Sequence, residues 1–311
     1  MCMTETLIIK SDLDRFDDWE NAFQNFDIRI LDWNDPHSKE EVDYALVWKP
    51  EKKALHQFPN LKIIFSVGAG LDHLKGENLV PENIPVVRMV EEGLTAGMVE
   101  YVTYMVLRFH RFMPEYEQQR QQQQWQPILQ IPATRRTVGI LGLGILGQAC
   151  ADQLLSLGFN VAGWSRTAKN LDNIQCFHGN DQLSDILAIS EYLVCLLPMT
   201  EETEGILNQD LFEQLPYGAI LINAGRGQCQ IEADIVEALD SGQLGGAALD
   251  VFETEPLPQD SPLWNHPKFY YTPHVASMTL AETSAIHVYN NIQRFRKGEP
   301  LTHVADMTRG Y

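Results

Sequence analysis

The stretch Thr137-Val-Gly-Ile-Leu-Gly-Leu-Gly-Ile-Leu-Gly147 decides the fold. A short apolar strand runs straight into Gly-x-Gly-x-x-Gly, whose glycines are Gly142, Gly144 and Gly147. The run after it, Gln148 to Leu157, reads as a helix. Strand, glycine turn and helix N-terminus together make a site for the pyrophosphate of a dinucleotide. The first glycine permits the tight turn, the second lets the backbone approach phosphate, and the third lets helix pack on strand. Unpaired N–H groups at the helix start point at the anion. Glycine-rich turns are common, so it is the flanking strand and helix that favour a nucleotide site over a bland connection.

Working outward, apolar strands follow at 160–164, 192–197, 219–223, 244–250 and 269–272, most of them separated by helical stretches. Their number suits a complete doubly wound nucleotide domain with a parallel sheet, a Rossmann domain. Before the motif, strands are expected at 6–10, 27–31, 44–48 and 61–66, with an amphipathic helix from Asp14 to Phe26. That alternation predicts a second, smaller α/β unit of flavodoxin-like type. Val99 to about Gln126 reads as one long helical stretch that Pro114 kinks or splits. Its glutamine-rich end, 117–125, fits a solvated helix end or an interface, and carries no chemistry of its own. Ala281 to Arg296 reads as a last helix that returns to the first domain, with packing on the nucleotide domain as the alternative.

Composition narrows the function. The chain has 311 residues, 44% hydrophobic and 21% charged, ordinary for a soluble globular protein with real cores. Its formal net charge of −19 argues against a nucleic-acid partner and against an anionic membrane surface. The cysteines, Cys2, Cys150, Cys176, Cys195 and Cys229, are scattered without C-x-x-C spacing, so no metal site is expected. Reduced thiols in a cytoplasmic protein are the simplest reading. The first residues lack a basic segment followed by an apolar one, and no apolar run is long enough to span a bilayer.

The second strand of the nucleotide domain ends Gly163-Trp-Ser-Arg-Thr-Ala-Lys169. Domains that prefer NAD carry an acidic residue there, roughly 20 residues past the glycines, on the ribose hydroxyls. Here Ser165, Arg166, Thr167 and Lys169 stand in its place. Arginine grips a phosphate with two parallel hydrogen bonds. The segment therefore predicts a 2′-phosphate site and NADPH as cofactor, with NAD as the weaker alternative. The bland reading is a polar strand-end loop.

Three further segments fall at or after strand ends, where ligands gather in such sheets. They are Ile222-Asn-Ala-Gly-Arg-Gly227, Leu249-Asp-Val-Phe-Glu-Thr-Glu-Pro256 and Tyr271-Thr-Pro-His-Val-Ala276. Alone, Arg226 reads as a surface arginine, Glu255 as a turn carboxylate and His274 as a satisfied core histidine. In this order, and with the glycine motif, the segments resemble the D-isomer-specific 2-hydroxyacid dehydrogenases. The resemblance runs from Phe65-Ser-Val-Gly-Ala-Gly-Leu-Asp72 to the C-terminus. Within that family, 44–48, 125–127, 164–167, 261–264 and the terminal Arg309-Gly-Tyr311 look like the members that reduce glyoxylate and hydroxypyruvate.

The resemblance implies catalytic roles for Arg226, Glu255 and His274. It implies that the N–H groups of Ala69 and Gly70 hold the substrate carboxylate, with Trp48 and Met98 as pocket walls. Around the cofactor it implies Gly142, Gly144, Ile145, Leu146 and Gly147 of the turn, the strand-end loop named above, Leu197, Pro198, Ala224, and Asp250 at the nicotinamide amide. It also implies a homodimer, a substrate domain over 1–98 and 276–311, and an NAD(P)-binding domain over 99–275.

The residue types fit the chemistry. Reducing a 2-keto acid takes a hydride on carbon and a proton on oxygen. A histidine can give that proton, a carboxylate beside it orients it, and an arginine fork can hold the substrate anion. Glu253 is a second carboxylate near Glu255 and a rival partner for His274. Two other functions share these motifs. One is a nucleotide-sensing regulator resembling the C-terminal-binding-protein corepressors. The other is a dehydrogenase of formate or phosphite, and glutamate at 255, where formate enzymes carry glutamine, weighs against formate.

Overall fold

The computed structural model describes residues 5–11 and 15–307. The expected helix start at Asp14, Cys2 and the Arg309–Tyr311 motif lie outside the described residues. The chain divides into two compact units. One comprises the described residues up to Leu94 and those from Met278 onward, the other Thr95–Ser277.

The first unit opens with β1 (Thr6–Lys10), α1 (Phe16–Phe23), β2 (Arg29–Asp32), β3 (Tyr44–Val47), β4 (Ile63–Ser66) and β5 (Val86–Val87). Its strands are all parallel, in the order β2-β1-β3-β4-β5. β3 and β4 are buried along their whole length, which explains why they read as continuous apolar runs rather than alternating ones. β5 is too short to leave a pattern, and the sequence reading missed it.

The helix expected over 99–126 is two helices, α2 (Glu92–His110) and α3 (Met113–Gln121). They break at Phe112, whose φ is 57°, and Pro114 falls in the first turn of α3. Proline lacks the N–H that a helix interior needs but is tolerated in a first turn. α2 also starts earlier than expected, because the Glu91 carboxylate accepts the N–H groups of Gly93 and Leu94 at 2.7 Å each.

The second unit continues with β6 (Thr137–Leu141), α4 (Ile145–Ser156), β7 (Asn160–Ser165), β8 (Gln175–His178), α5 (Leu183–Leu187), β9 (Tyr192–Cys195), α6 (Gln209–Phe212), β10 (Ala219–Asn223), α7 (Glu232–Ser241), β11 (Leu244–Leu249) and β12 (Phe269–Tyr271). The parallel sheet has the order β12-β11-β10-β9-β6-β7-β8. Strand order reverses between β6 and β9, and ligands bind outside the carboxyl ends at such a switch. β8 is a partly exposed edge strand with few apolar residues, so periodicity did not reveal it. The last helix, α8 (Ala281–Arg296), lies in the first unit. It buries Ser284, Ala285, Val288, Asn291 and Ile292, one face at helical spacing, and its Tyr289 stacks on Phe26 at 4.4 Å. Among the described residues no helix is long and apolar enough to cross a membrane.

Candidate active site

Strand register aligns the site in the second unit. Leu141 pairs with Trp164 and Cys195, Asn223 with Cys195 and Leu249, and Leu249 with Tyr271. The next residues, Gly142, Leu196, Ala224, Asp250 and Thr272, therefore share one edge of the sheet. Every segment singled out in this half of the sequence leaves the sheet along that edge.

At the glycine turn, a Cβ on Gly147 would lie 2.0 Å from the Gly142 carbonyl oxygen, so α4 packs against the turn only with glycine there. Gly144 differs. Its φ is −70°, and a Cβ there would meet nothing within 4 Å. Neither backbone conformation nor protein packing calls for glycine at 144. Close approach of a ligand to the α4 N-terminus does. This open cradle fits a dinucleotide pyrophosphate. Ile145 and Leu146 form the first turn of α4 beside it.

At the end of β7, the Ser165 hydroxyl is committed to the Thr167 carbonyl at 2.8 Å and shapes the loop. Arg166 and Thr167 are exposed, and Arg166 lies 3.8 Å from Glu202. Lys169 Nζ donates to the Leu143 carbonyl at 2.5 Å, tying this loop to the glycine turn. The loop thus presents a cation at its tip and no acid of its own.

Beyond β10, a network centred on Asn223 fixes the backbone of the Arg226 turn. The buried Asn223 accepts the Gly225 N–H at 3.0 Å, and its amide donates to the Arg226 carbonyl at 3.2 Å and to Gln230 at 2.8 Å. Gln230 in turn donates to the Val251 carbonyl at 3.0 Å. The flanking glycines allow tight contact: a Cβ on Gly225 would sit 2.7 Å from the Leu197 carbonyl, and one on Gly227 would collide with Phe252. Leu197 and Ala224 are buried beside this turn, and the Pro198 carbonyl accepts the Thr203 hydroxyl at 2.7 Å.

His274 and Glu255 meet: His274 Nδ1 lies 2.9 Å from Glu255 Oε2. The other Glu255 oxygen accepts the Phe252 N–H at 3.1 Å, which fixes the carboxylate. Burial pushes the Glu255 carboxyl up. The His274 hydrogen bond and charge, the Phe252 N–H and the charge of Arg226 outweigh it and hold the group below the usual carboxylate range. Glu253, the rival partner, accepts the Glu232 N–H at 2.7 Å while Glu232 accepts the Glu253 N–H at 2.8 Å. It caps α7 and does not pair with His274.

The His274 backbone is left-handed, with φ 55°, a conformation costing about 1–2 kcal/mol for a residue with a Cβ. Asp250 holds it there. Its carbonyl accepts the His274 N–H at 2.8 Å, and its carboxylate accepts the N–H groups of Val275 at 2.8 Å and Ala276 at 2.9 Å. Thr272 Oγ1 lies 2.6 Å from that carboxylate and 2.9 Å from the Tyr101 hydroxyl. Each hydroxyl has one proton, so Tyr101 donates to Thr272 and Thr272 to Asp250. Asp250, expected at the nicotinamide amide, is 1% exposed and engaged with the histidine loop.

Met98, expected as a pocket wall, is buried in the core with Val102, Cys150 and Ala276. In the first unit Trp48 packs against His73, ring centroids 4.1 Å apart and planes tilted by 37°. A Cβ on Gly68 would lie 2.9 Å from the Trp48 ring, so glycine leaves the indole its place over the loop. Ser66 donates to the Gly68 carbonyl at 2.7 Å, and Arg88 Nε donates to the Ala69 carbonyl at 3.0 Å. Asn223, Gln230, Thr272, Tyr101, Ser66 and Arg88 were not singled out from sequence. The only signal was a polar residue closing an apolar strand, as at Asn223 and Ser66. Among the described residues no cluster of His, Cys, Asp and Glu could hold a metal ion.

Residues 103–276 match the sequence model of the D-isomer specific 2-hydroxyacid dehydrogenase, NAD binding domain. The chain belongs to this family. It is 41% identical over 275 residues to glyoxylate/hydroxypyruvate reductase A of Yersinia enterocolitica, covering 87% of this chain and 88% of that one. The protein of that name from Photorhabdus laumondii is 42% identical over 289 residues, covering 91% and 92%. Among solved structures, a family member from Xanthobacter autotrophicus Py2 in complex with NADPH and MES superposes with a TM-score of 0.95 at 40% identity, covering 99% of this chain and 100% of that one. The NADPH-dependent glyoxylate/hydroxypyruvate reductase of Sinorhizobium meliloti, in complex with NADP and sulfate, gives 0.93 at 38% identity, covering 99% and 100%.

Proposed function

We propose that this protein reduces small 2-keto acids with NADPH, glyoxylate to glycolate and hydroxypyruvate to D-glycerate. The observation that carries the reading is the His274–Glu255 pair at 2.9 Å beside the Arg226 turn. With Nδ1 engaged by Glu255, Nε2 is the ring atom left to give a proton. The identity with reductases over nearly the whole chain supports the substrate class, and the NADP-bound relatives support the cofactor.

The residues divide the work. The turn at Gly142, Gly144 and Gly147 with the α4 N-terminus takes the pyrophosphate, and Arg166 with Thr167 takes a 2′-phosphate on the loop that Ser165 and Lys169 hold in place. Leu197, Pro198 and Ala224 line the path of the cofactor beyond. NADPH, when bound, supplies the hydride. Arg226 grips the keto acid through its guanidinium fork. His274 Nε2 delivers its proton to the carbonyl oxygen, and that proton with the hydride completes the hydroxyl acid. Glu255 keeps the ring oriented through Nδ1. The Ala69 and Gly70 N–H groups bind the substrate carboxylate, with Trp48 as a wall of the pocket.

The enzyme acts as a homodimer in the cytoplasm. Trp125 and Leu129 are 99% and 89% exposed on a segment without regular structure, and such apolar exposure favours cover by a second copy. Sedimentation velocity tests this; a monomer at micromolar concentration overturns it. The activity is tested by NADPH and NADH oxidation against a panel of 2-keto acids. Turnover of glyoxylate or hydroxypyruvate, faster with NADPH, is expected. Tight cofactor binding without turnover of any keto acid would favour the nucleotide-sensing regulator instead.

A further inference from the structure

The residues behind the Ala69–Gly70 loop have no assigned task. We propose that Arg88 is a positioning residue for the substrate carboxylate: it clamps the Ala69 carbonyl, aims the Gly70 N–H at the anion and places a positive charge behind that donor. The inference rests on the keto-acid reading and deepens it.

The geometry is as follows. Arg88 Nε donates to the Ala69 carbonyl oxygen at 3.0 Å. The peptide joining Ala69 to Gly70 is trans and planar, so its N–H points opposite to its C=O. Gripping the carbonyl from one side therefore turns the Gly70 N–H to the other. Among the described residues, neither the Ala69 nor the Gly70 N–H donates to any protein atom. Both residues are partly exposed. Two unspent donors, fixed from behind, form an anion cradle.

Arg88 is itself fixed. It follows β5, its N–H donates to the His303 carbonyl at 3.0 Å, and its own carbonyl accepts His287 Nε2 at 3.1 Å. The next residue, Met89, donates its N–H to the Gly68 carbonyl at 3.4 Å. Residues 88–89 thus extend the β4–β5 pairing onto the loop. The Ser66 hydroxyl holds the other flank through the Gly68 carbonyl. A guanidinium on a peptide oxygen polarises the whole peptide group and makes its N–H a stronger donor. That matters in a chain whose net charge of −19 repels an anionic substrate.

The test compares the parent enzyme with Arg88→Met, Arg88→Gln and Arg88→Lys. Oxalate, a non-reducible dianion of similar shape, is titrated calorimetrically into each enzyme saturated with NADPH. In Arg88→Met, the oxalate Kd and the KM for glyoxylate should rise about tenfold or more, the loss expected for a charge-assisted hydrogen bond. The Kd for NADPH and the kcat at saturating glyoxylate should stay within about twofold of the parent, the pattern of lost ground-state binding. Arg88→Lys should recover much of the oxalate affinity, and Arg88→Gln, which keeps a donor without charge, should recover less. If Arg88→Met does not fold, the Lys and Gln variants decide, and equal oxalate affinity in those two overturns the proposal. Unchanged oxalate affinity in Arg88→Met overturns it as well, while turnover by the parent leaves the keto-acid reading standing. A parent enzyme that turns over no keto acid sinks that reading and the inference with it.

Discussion

Asp250→Asn tests whether this carboxylate serves the histidine loop or the cofactor. The side chain accepts hydrogen bonds from Thr272 Oγ1 at 2.6 Å, Val275 N at 2.8 Å and Ala276 N at 2.9 Å, in a site 1% exposed. Asparagine has the same shape but one acceptor oxygen. Its oxygen can keep Thr272 and Val275, which sets its NH2 against the Ala276 N–H, donor against donor. The loss is one charge-assisted bond plus one buried unsatisfied N–H, together about 2–4 kcal/mol. For a unit of this size that lowers Tm by roughly 4–16 °C. The cost falls on the loop that keeps His274 left-handed, so kcat for glyoxylate should drop about tenfold or more as the ring loses its aim. Thermal unfolding followed by circular dichroism and NADPH titration by fluorescence read the two effects separately. A variant that melts with the parent yet binds NADPH much more weakly would refute the loop argument and return Asp250 to the nicotinamide.

Other outcomes follow from the same geometry. Arg166→Ala should erode the preference for NADPH over NADH by about tenfold or more, mainly through the KM for NADPH, as loss of a charged phosphate contact requires; equal use of both cofactors by the parent would falsify the 2′-phosphate site. His274→Gln should keep NADPH binding and lose about 10²–10⁴-fold in kcat, the usual share of a general acid; near-normal kcat would make His274 structural. Glu255→Gln removes the carboxylate that orients the ring through Nδ1, so kcat for glyoxylate should fall about tenfold or more, while Glu253→Gln leaves it near the parent value; the reverse pattern would transfer the partner role to Glu253. The depressed Glu255 titration also has a sign in stability: its contribution is full above the ordinary carboxylate value and fades as pH falls through the lower folded value. The acid limb of the Tm profile should therefore be shallower in Glu255→Gln than in the parent, and parallel profiles would count against the pair.

Much of the second unit was legible because its elements carry local signals. The strand–glycine–helix run needs only near neighbours to be read, and the apolar strands at 192–195 and 219–223 are buried on both faces, so composition alone marks them. Pro114 marked the stretch 99–126 as a helix to be kinked or split, but the break falls just ahead of it at Phe112, a left-handed residue whose conformation leaves no pattern in the sequence. β8 hid because an edge strand needs few apolar residues. At the site, Arg226, Glu255 and His274 stood out only through the family resemblance of the segments that carry them, since each had a bland reading alone. The groups that aim them did not. Asn223 acts on a loop three residues away, but Tyr101 reaches Thr272 from 171 positions off and Arg88 reaches Ala69 from 19. Such contacts exist only once the sheet register has aligned the strand ends, and no local pattern encodes them.

The charge of the chain explains why so much of this support ends on backbone groups. Acidic residues number 42 against 23 basic ones, while the proposed substrate and cofactor are both anions. Global attraction is therefore unavailable, and donors must be fixed before the anion arrives. The glycine turn leaves Gly144 open at a helix N-terminus, and the Ala69–Gly70 loop keeps two N–H groups unspent. Behind the loop Arg88 sits on a carbonyl, and Lys169 does the same at Leu143 beside the turn. Placing the cation on the carbonyl rather than on the ligand strengthens the N–H across the peptide. It also leaves discrimination to Arg166 and Arg226, the two arginines expected to touch the bound anions themselves.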